Sequence, residues 1–183
     1  TSVLEGTRAP NGRGATALYL APTKALAHDQ WRSVAELGLD ALRLSAYDGD
    51  TPDEEREWIR QHAGYVLSNP DLLHRSMLPG HARWASFLRA LRYVVVDECH
   101  VYRGVFGSHV GNVLRRLQRV CARYGSTPTF VLASATAGDP AGSASRLLGL
   151  PVVAVDDDAS PRGATSFALW EPPLTSHGGE NDA

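Results

Sequence analysis

The stretch Tyr93-Val94-Val95-Val96-Asp97-Glu98 decides how this 183-residue chain reads. A short β-branched run bounded by polar residues suits a buried parallel strand, and open α/β sheets bind ligands at the carboxyl ends of such strands. Between Asp71 and Asp139 these two acids are the only carboxylates, set among nine arginines. Adjacent carboxylates in a basic stretch point to a divalent cation and a phosphate-bearing substrate. One can hold Mg²⁺ through water, and the other can orient or deprotonate an attacking water. On these residues alone, an acid pair that merely caps the next segment is an equal alternative.

Composition sets the frame. With 43% hydrophobic and 21% charged residues the chain suits one globular domain with a sizeable core. No apolar run is long enough to span a bilayer, and the first residues lack the basic and apolar segments of a signal peptide, so a cytoplasmic location away from membranes is the default expectation. Cys99 and Cys121 are the only cysteines and form no Cys-x-x-Cys pair, which argues against a disulfide framework or a structural zinc site. The net charge of −2 hides an uneven distribution. Acids gather at Asp48, Asp50, Asp53, Glu54, Glu55 and Glu57 and again at Asp156-Asp157-Asp158, leaving a basic middle third that suits a polyanion partner. Lys24 is the single lysine.

The chain alternates strand and helix. Ser2 to Glu5 suits the last turn of a helix, and Pro10, Gly12 and Gly14 mark a loop, so 1–14 reads as the end of an upstream element. Strands are expected at Ala15 to Ala21, Leu42 to Ala46, Tyr65 to Leu67, Tyr93 to Val96, Phe130 to Ala133 and Val152 to Val155. Helices are expected from Thr23, from a Thr51-Pro52-Asp53-Glu54 capping box to about His62, from Asn69-Pro70, from His109 to Tyr124, and from Asp139-Pro140 to Gly149. In the fourth of these Val110, Val113, Leu114, Leu117, Val120 and Cys121 form one stripe, and Arg116, Arg119 and Arg123 another that reads as a solvated face. The alternation predicts an α/β fold, a parallel sheet covered by helices on both faces over residues 15–160. Residues 161–183 read as a linker or tail, partly disordered.

Four polar motifs then fall at strand ends: Pro22-Thr23-Lys24, Ser68-Asn69-Pro70-Asp71, Asp97-Glu98-Cys99-His100 and Ser134-Ala135-Thr136. In this order they resemble motifs Ia, Ib, II and III of the superfamily 2 helicases, with a DECH version of the DEAD/DEAH box. The likeness covers roughly residues 15 to 156 and implies the first RecA-like lobe of a P-loop ATPase. Tyr102-Arg103-Gly104-Val105-Phe106-Gly107-Ser108-His109, followed by the arginine-rich helix, further resembles the mitomycin-repair (YprA-like) bacterial DNA helicases, related to the RecQ4-like enzymes.

The resemblance implies roles residue by residue. Asp97 would hold the Mg²⁺ of Mg-ATP through water, and Glu98 would activate the water that attacks the γ-phosphate. His100 would link the ATP site to Ser134 and Thr136, which couple hydrolysis to strand movement. Thr23, Lys24, Ser68 and Asn69 would face the nucleic-acid backbone. Thr23 and Asn69 also suit helix caps, and Ser134 a strand-end cap. One departure stands out: no Gly-x-x-x-x-Gly-Lys-[Ser/Thr] occurs. The expectation is therefore that the phosphate loop and its strand lie upstream of Thr1, with that strand beside the one ending at Ala133, and that the second RecA-like lobe lies downstream. The function implied is an ATP-dependent DNA helicase acting in repair on single-stranded or forked DNA. An RNA helicase of the same superfamily, or a non-catalytic nucleic-acid-binding remnant, are the alternatives.

Overall fold

The computed structural model describes residues 14–135, 138–156, 163 and 166–171. The expected helix end at Ser2 to Glu5, Thr136 of the Ser-Ala-Thr motif and the tail from residue 172 lie outside the described residues. Five strands, β1 (Thr16–Leu20), β2 (Leu44–Ala46), β3 (Tyr65–Ser68), β4 (Leu91–Val96) and β5 (Thr129–Leu132), form one sheet in the order β2-β3-β1-β4-β5. Every pairing is parallel. All five residues of β1 are buried, as expected of a central strand with both faces covered.

Period-2 alternation sorts the sheet into two faces. Leu18, Leu20, Val66, Val94 and Val96 enter the larger core. That core also takes Ile59 of α2 (Asp53–His62), Phe87 and Leu88 of α4 (Ala85–Arg89), the Val110 to Cys121 stripe of α5 (Gly104–Arg123) and Leu147 and Leu148 of α6 (Pro140–Leu148). Trp84 anchors it, edge-on to Tyr47 at 5.0 Å and to Phe87 at 5.6 Å between ring centroids. On the opposite face Tyr19, Ala21 and Leu67 meet Ala27, Leu26 and Trp31 of α1 (Lys24–Ala35).

Side-chain caps set three of the six described α-helix starts. Thr23 Oγ1 accepts from Leu26 N at 3.2 Å, Asn69 Oδ1 from Leu72 N at 2.9 Å at the start of α3 (Pro70–Leu72), and Asp139 Oδ1 from Gly142 N at 2.9 Å. Helix α6 stops at Gly149, whose φ of 73° few side chains tolerate.

Three expectations are corrected. Thr51 forms no capping box: Pro52 holds the N-cap of α2, and Thr51 Oγ1 instead accepts from Asp48 N at 2.9 Å, tightening the turn after β2. Helix α5 starts at Gly104 rather than His109, because Gly107 packs closely instead of breaking it. A Cβ on Gly107 would stand 2.3 Å from the Tyr102 carbonyl oxygen, so only glycine lets the first turn lie against that segment. Val152 to Val155 is not a strand. No described strand pairs with it, and a strand exists only through its neighbour's amides and carbonyls.

Candidate active site at the strand ends

The central strands deliver the acid pair. Asp97 N donates to Leu20 O at 2.9 Å, so the sheet ladder continues one residue beyond β4 and fixes where that carboxylate emerges. Its side chain is then held at both oxygens. Oδ1 accepts from Glu98 N at 2.9 Å and Oδ2 accepts from the hydroxyl of Tyr19. Register explains the second contact: Tyr19 pairs with Val95, and residues two apart share a face, so Tyr19, Val95 and Asp97 lie on one side of the sheet. Burial, and then the hydrogen bond to Asp97, push the Tyr19 phenol above its ordinary pKa, keeping it a donor. Burial and the Asp97 charge raise Tyr65 on the same face as well.

Glu98 has φ 48°, one of two positive-φ non-glycine residues described. Such a backbone costs about 1 kcal/mol or more and is found where a turn must aim a side chain. Its Oε2 lies 3.1 Å from His100 Nδ1, an ion-pair distance whose angle does not make a hydrogen bond. Contact between this turn and the end of β5 runs through Cys99. Cys99 N donates to Ala133 O at 2.8 Å, and burial pushes the Cys99 thiol up in pKa while Ser134 partly offsets that. The sequence places Cys99 within the DECH motif but marks no role for it there. Its position between the acid pair and the Ser-Ala-Thr motif was the available signal.

The residues expected to face nucleic acid divide. Thr23 is exposed, and Asn69 caps with its oxygen while its amide N–H groups remain outside that bond. Ser68 departs from the expectation: it is 1% exposed and donates to Tyr47 O at 2.8 Å, clasping β3 to the end of β2. Lys24 pairs with Asp50, and with Asp48 Oδ2 at 3.4 Å. The Asp50 hydrogen bond raises its pKa.

Asp48 itself is held low. Burial pushes its carboxyl up, but the His28 hydrogen bond at 2.7 Å, the Asp50 amide and Lys24 more than offset that. A depressed folded pKa gives stabilisation that is complete above the ordinary aspartate range and lost as pH falls through the folded value. The urea midpoint is expected to drop below about pH 4. Asp48→Asn should flatten that part of the profile, and an unchanged acid limb in the variant would contradict the assignment.

Among the described residues no group of three or more His, Cys, Asp or Glu could enclose a metal ion. The donor set does fit Mg²⁺, which keeps most of its waters and commonly takes one or two carboxylates plus substrate phosphates. Asp97 has one lone pair left on each oxygen for such waters. The buried Tyr102 hydroxyl has no hydrogen-bond partner among the described residues, and burial, then the Asp97 charge, push its phenol above the ordinary pKa.

The acid pair thus stands at the carboxyl edge of a parallel sheet, where the capped helix starts after β1 and β3 also lie. A family profile described as DEAD/DEAH box helicase matches residues 2–142, and the chain belongs to that family. It is 46% identical over 164 residues to YprA of Bacillus subtilis (strain 168), named an uncharacterized ATP-dependent helicase, covering 87% of this chain and 22% of that protein. Identity to the ATP-dependent helicase HRQ1 of Saccharomyces cerevisiae is 42% over 167 residues, 87% of this chain and 16% of that protein. The helicase MrfA, crystallised with DNA and AMPPNP, superposes with a TM-score of 0.78 at 46% identity over 81% of this chain and 21% of MrfA. The chain thus spans about a fifth of the length of these relatives. No helix among the described residues is long and apolar enough to cross a membrane.

Proposed function

We propose that this chain is the first RecA-like lobe of an ATP-dependent DNA helicase, in which nucleic-acid-stimulated ATP hydrolysis drives movement along one strand during DNA repair. The observation that carries this reading is the pair Asp97 and Glu98, held at the end of β4 by a carboxylate clamp and a positive-φ turn. Asp97 would hold hydrated Mg²⁺, which when bound offsets charge on the phosphate oxygens. Glu98 then accepts the proton of the attacking water at its carboxylate. His100, Cys99, Ser134 and Thr136 would carry the change to the strand ends, since Cys99 already bridges the acid turn to β5. The relatives named as ATP-dependent helicases, and the DNA and AMPPNP bound to MrfA, support ATP and DNA as the ligands here.

The lobe is proposed as residues 15–160, preceded by the end of an upstream element and followed by a linker. No Gly-x-x-x-x-Gly-Lys-[Ser/Thr] occurs in the sequence, and turnover is therefore measured on the full-length gene product. β5 is an edge strand among the described residues and its Val131 is 46% exposed, a surface that a further strand of a RecA-like sheet would bury.

Thr23, Lys24 and Asn69 offer donors to phosphates and no base-edge reader, so binding should tolerate sequence and weaken steeply with salt. Lys24→Ala is expected to reduce the salt slope of single-strand binding by about 0.7. An unchanged slope would remove Lys24 from the interface. The function itself is tested by ATP turnover of the full-length gene product at matched salt. Single-stranded DNA should stimulate it more than RNA of the same sequence. Equal or greater stimulation by RNA would move the reading to an RNA helicase, and turnover indifferent to both would leave a non-motor role.

A further inference from the structure

The clamp on Asp97 reaches beyond the acid pair. We infer that Tyr19, on β1, is a positioning residue that fixes the Asp97 carboxylate for a hydrated divalent cation. This rests on the functional reading above and adds to it a residue outside the four strand-end motifs.

A lone aspartate is poorly oriented, because its terminal torsion is broad and nearly two-fold. Here rotation is blocked from both sides. The Glu98 amide takes Oδ1 at 2.9 Å and the Tyr19 hydroxyl takes Oδ2. Both donors are rigid, one being backbone in a fixed turn and the other a phenol on the central strand whose ring is packed against Ala27 and Leu67. Tyr19 is 9% exposed, so its hydroxyl cannot swing to solvent without leaving the carboxylate. Hydrogen bonds to an ionised acceptor are also about twice as strong as neutral ones. The lone pairs left on Asp97 therefore point in set directions, as a cation demanding near-ideal octahedral water geometry requires. Tyr65 lies on the same face and feels the Asp97 charge, but the two share no hydrogen bond, which makes it a matched control.

Partners that orient a metal ligand typically contribute 10–100-fold in affinity or activity. In the full-length gene product, AMPPNP binding is measured while Mg²⁺ is varied, with free Mn²⁺ followed by electron paramagnetic resonance as a second probe. Tyr19→Phe, which keeps the ring, should raise the half-saturating Mg²⁺ and Mn²⁺ concentrations by about 10–100-fold. Excess Mg²⁺ should restore most of kcat, and Tyr65→Phe should leave the midpoint unchanged. A Tyr19→Phe protein with an unshifted metal midpoint overturns the inference, even if its thermal stability falls, because that outcome marks a packing role alone. Asp97→Asn separates the two levels. If it loses the Mg²⁺ dependence while Tyr19→Phe does not shift it, the functional reading stands and the inference fails. If Asp97→Asn keeps wild-type Mg²⁺ dependence, the functional reading fails and the inference with it.

Discussion

Glu98→Gln in the full-length gene product should lower ATP hydrolysis by about 10²–10⁴-fold while nucleotide still binds. Glutamine keeps the size and the hydrogen-bonding reach of the side chain but cannot accept the proton of the attacking water. Ground-state contacts to ATP are largely untouched, so the loss should appear in kcat and kcat/KM together, with little change in the nucleotide dissociation constant. The backbone at Glu98, with φ 48°, is set by the turn and not by the charge, so the variant should fold normally. Hydrolysis at the normal rate would show that Glu98 is not the base, and the adjacent Asp97 would have to be reassigned with it.

A second large effect concerns stability. Trp84 is 1% exposed and touches Tyr47 and Phe87 edge-on, joining the segment after β2 to the turn before α4 under the sheet. Trp84→Ala removes that ring and leaves a cavity that neighbouring strands cannot fill, at about 3–5 kcal/mol. Domains are stable by roughly 5–15 kcal/mol, so much of the molecule's stability depends on this side chain. Urea unfolding should show a lower midpoint with an unchanged slope. A loss under about 1 kcal/mol would place Trp84 among ordinary surface-like substitutions and contradict the packing described.

Much of this architecture was legible because local chemistry and periodicity agree with it. The β-branched run before Asp97, the Asp139-Pro140 start and Gly149 stop of α6, and the Val110 to Cys121 stripe each announce an element without tertiary information. The motif positions followed, since strand ends are where such a sheet presents polar residues. What could not be read depends on neighbours. Val152 to Val155 has the composition of a strand and lacks a strand beside it among the described residues. Thr51 precedes Pro52 as a capping residue would, yet the turn amide of Asp48 competes for its hydroxyl and wins. Ser68 looks like a surface donor, but the β2–β3 register, continued one residue, sets Tyr47 opposite it and the Tyr47 carbonyl takes its hydroxyl. Tyr19 reads as one more apolar strand residue until the β1 to β4 register sets it two residues short of Asp97 on the same face. Partners separated by 78 residues leave no mark on local pattern.

Crystals of the full-length gene product with AMPPNP and Mn²⁺, with manganese located by its anomalous scattering, show whether Asp97 holds the metal and Glu98 faces the phosphates. One manganese is expected at the carboxyl end of β4, joined to Asp97 through a bound water, with the Glu98 carboxylate facing the γ-phosphate. Manganese and nucleotide bound elsewhere, with Asp97 still held by Tyr19 and the Glu98 amide but touching neither, would contradict both assignments.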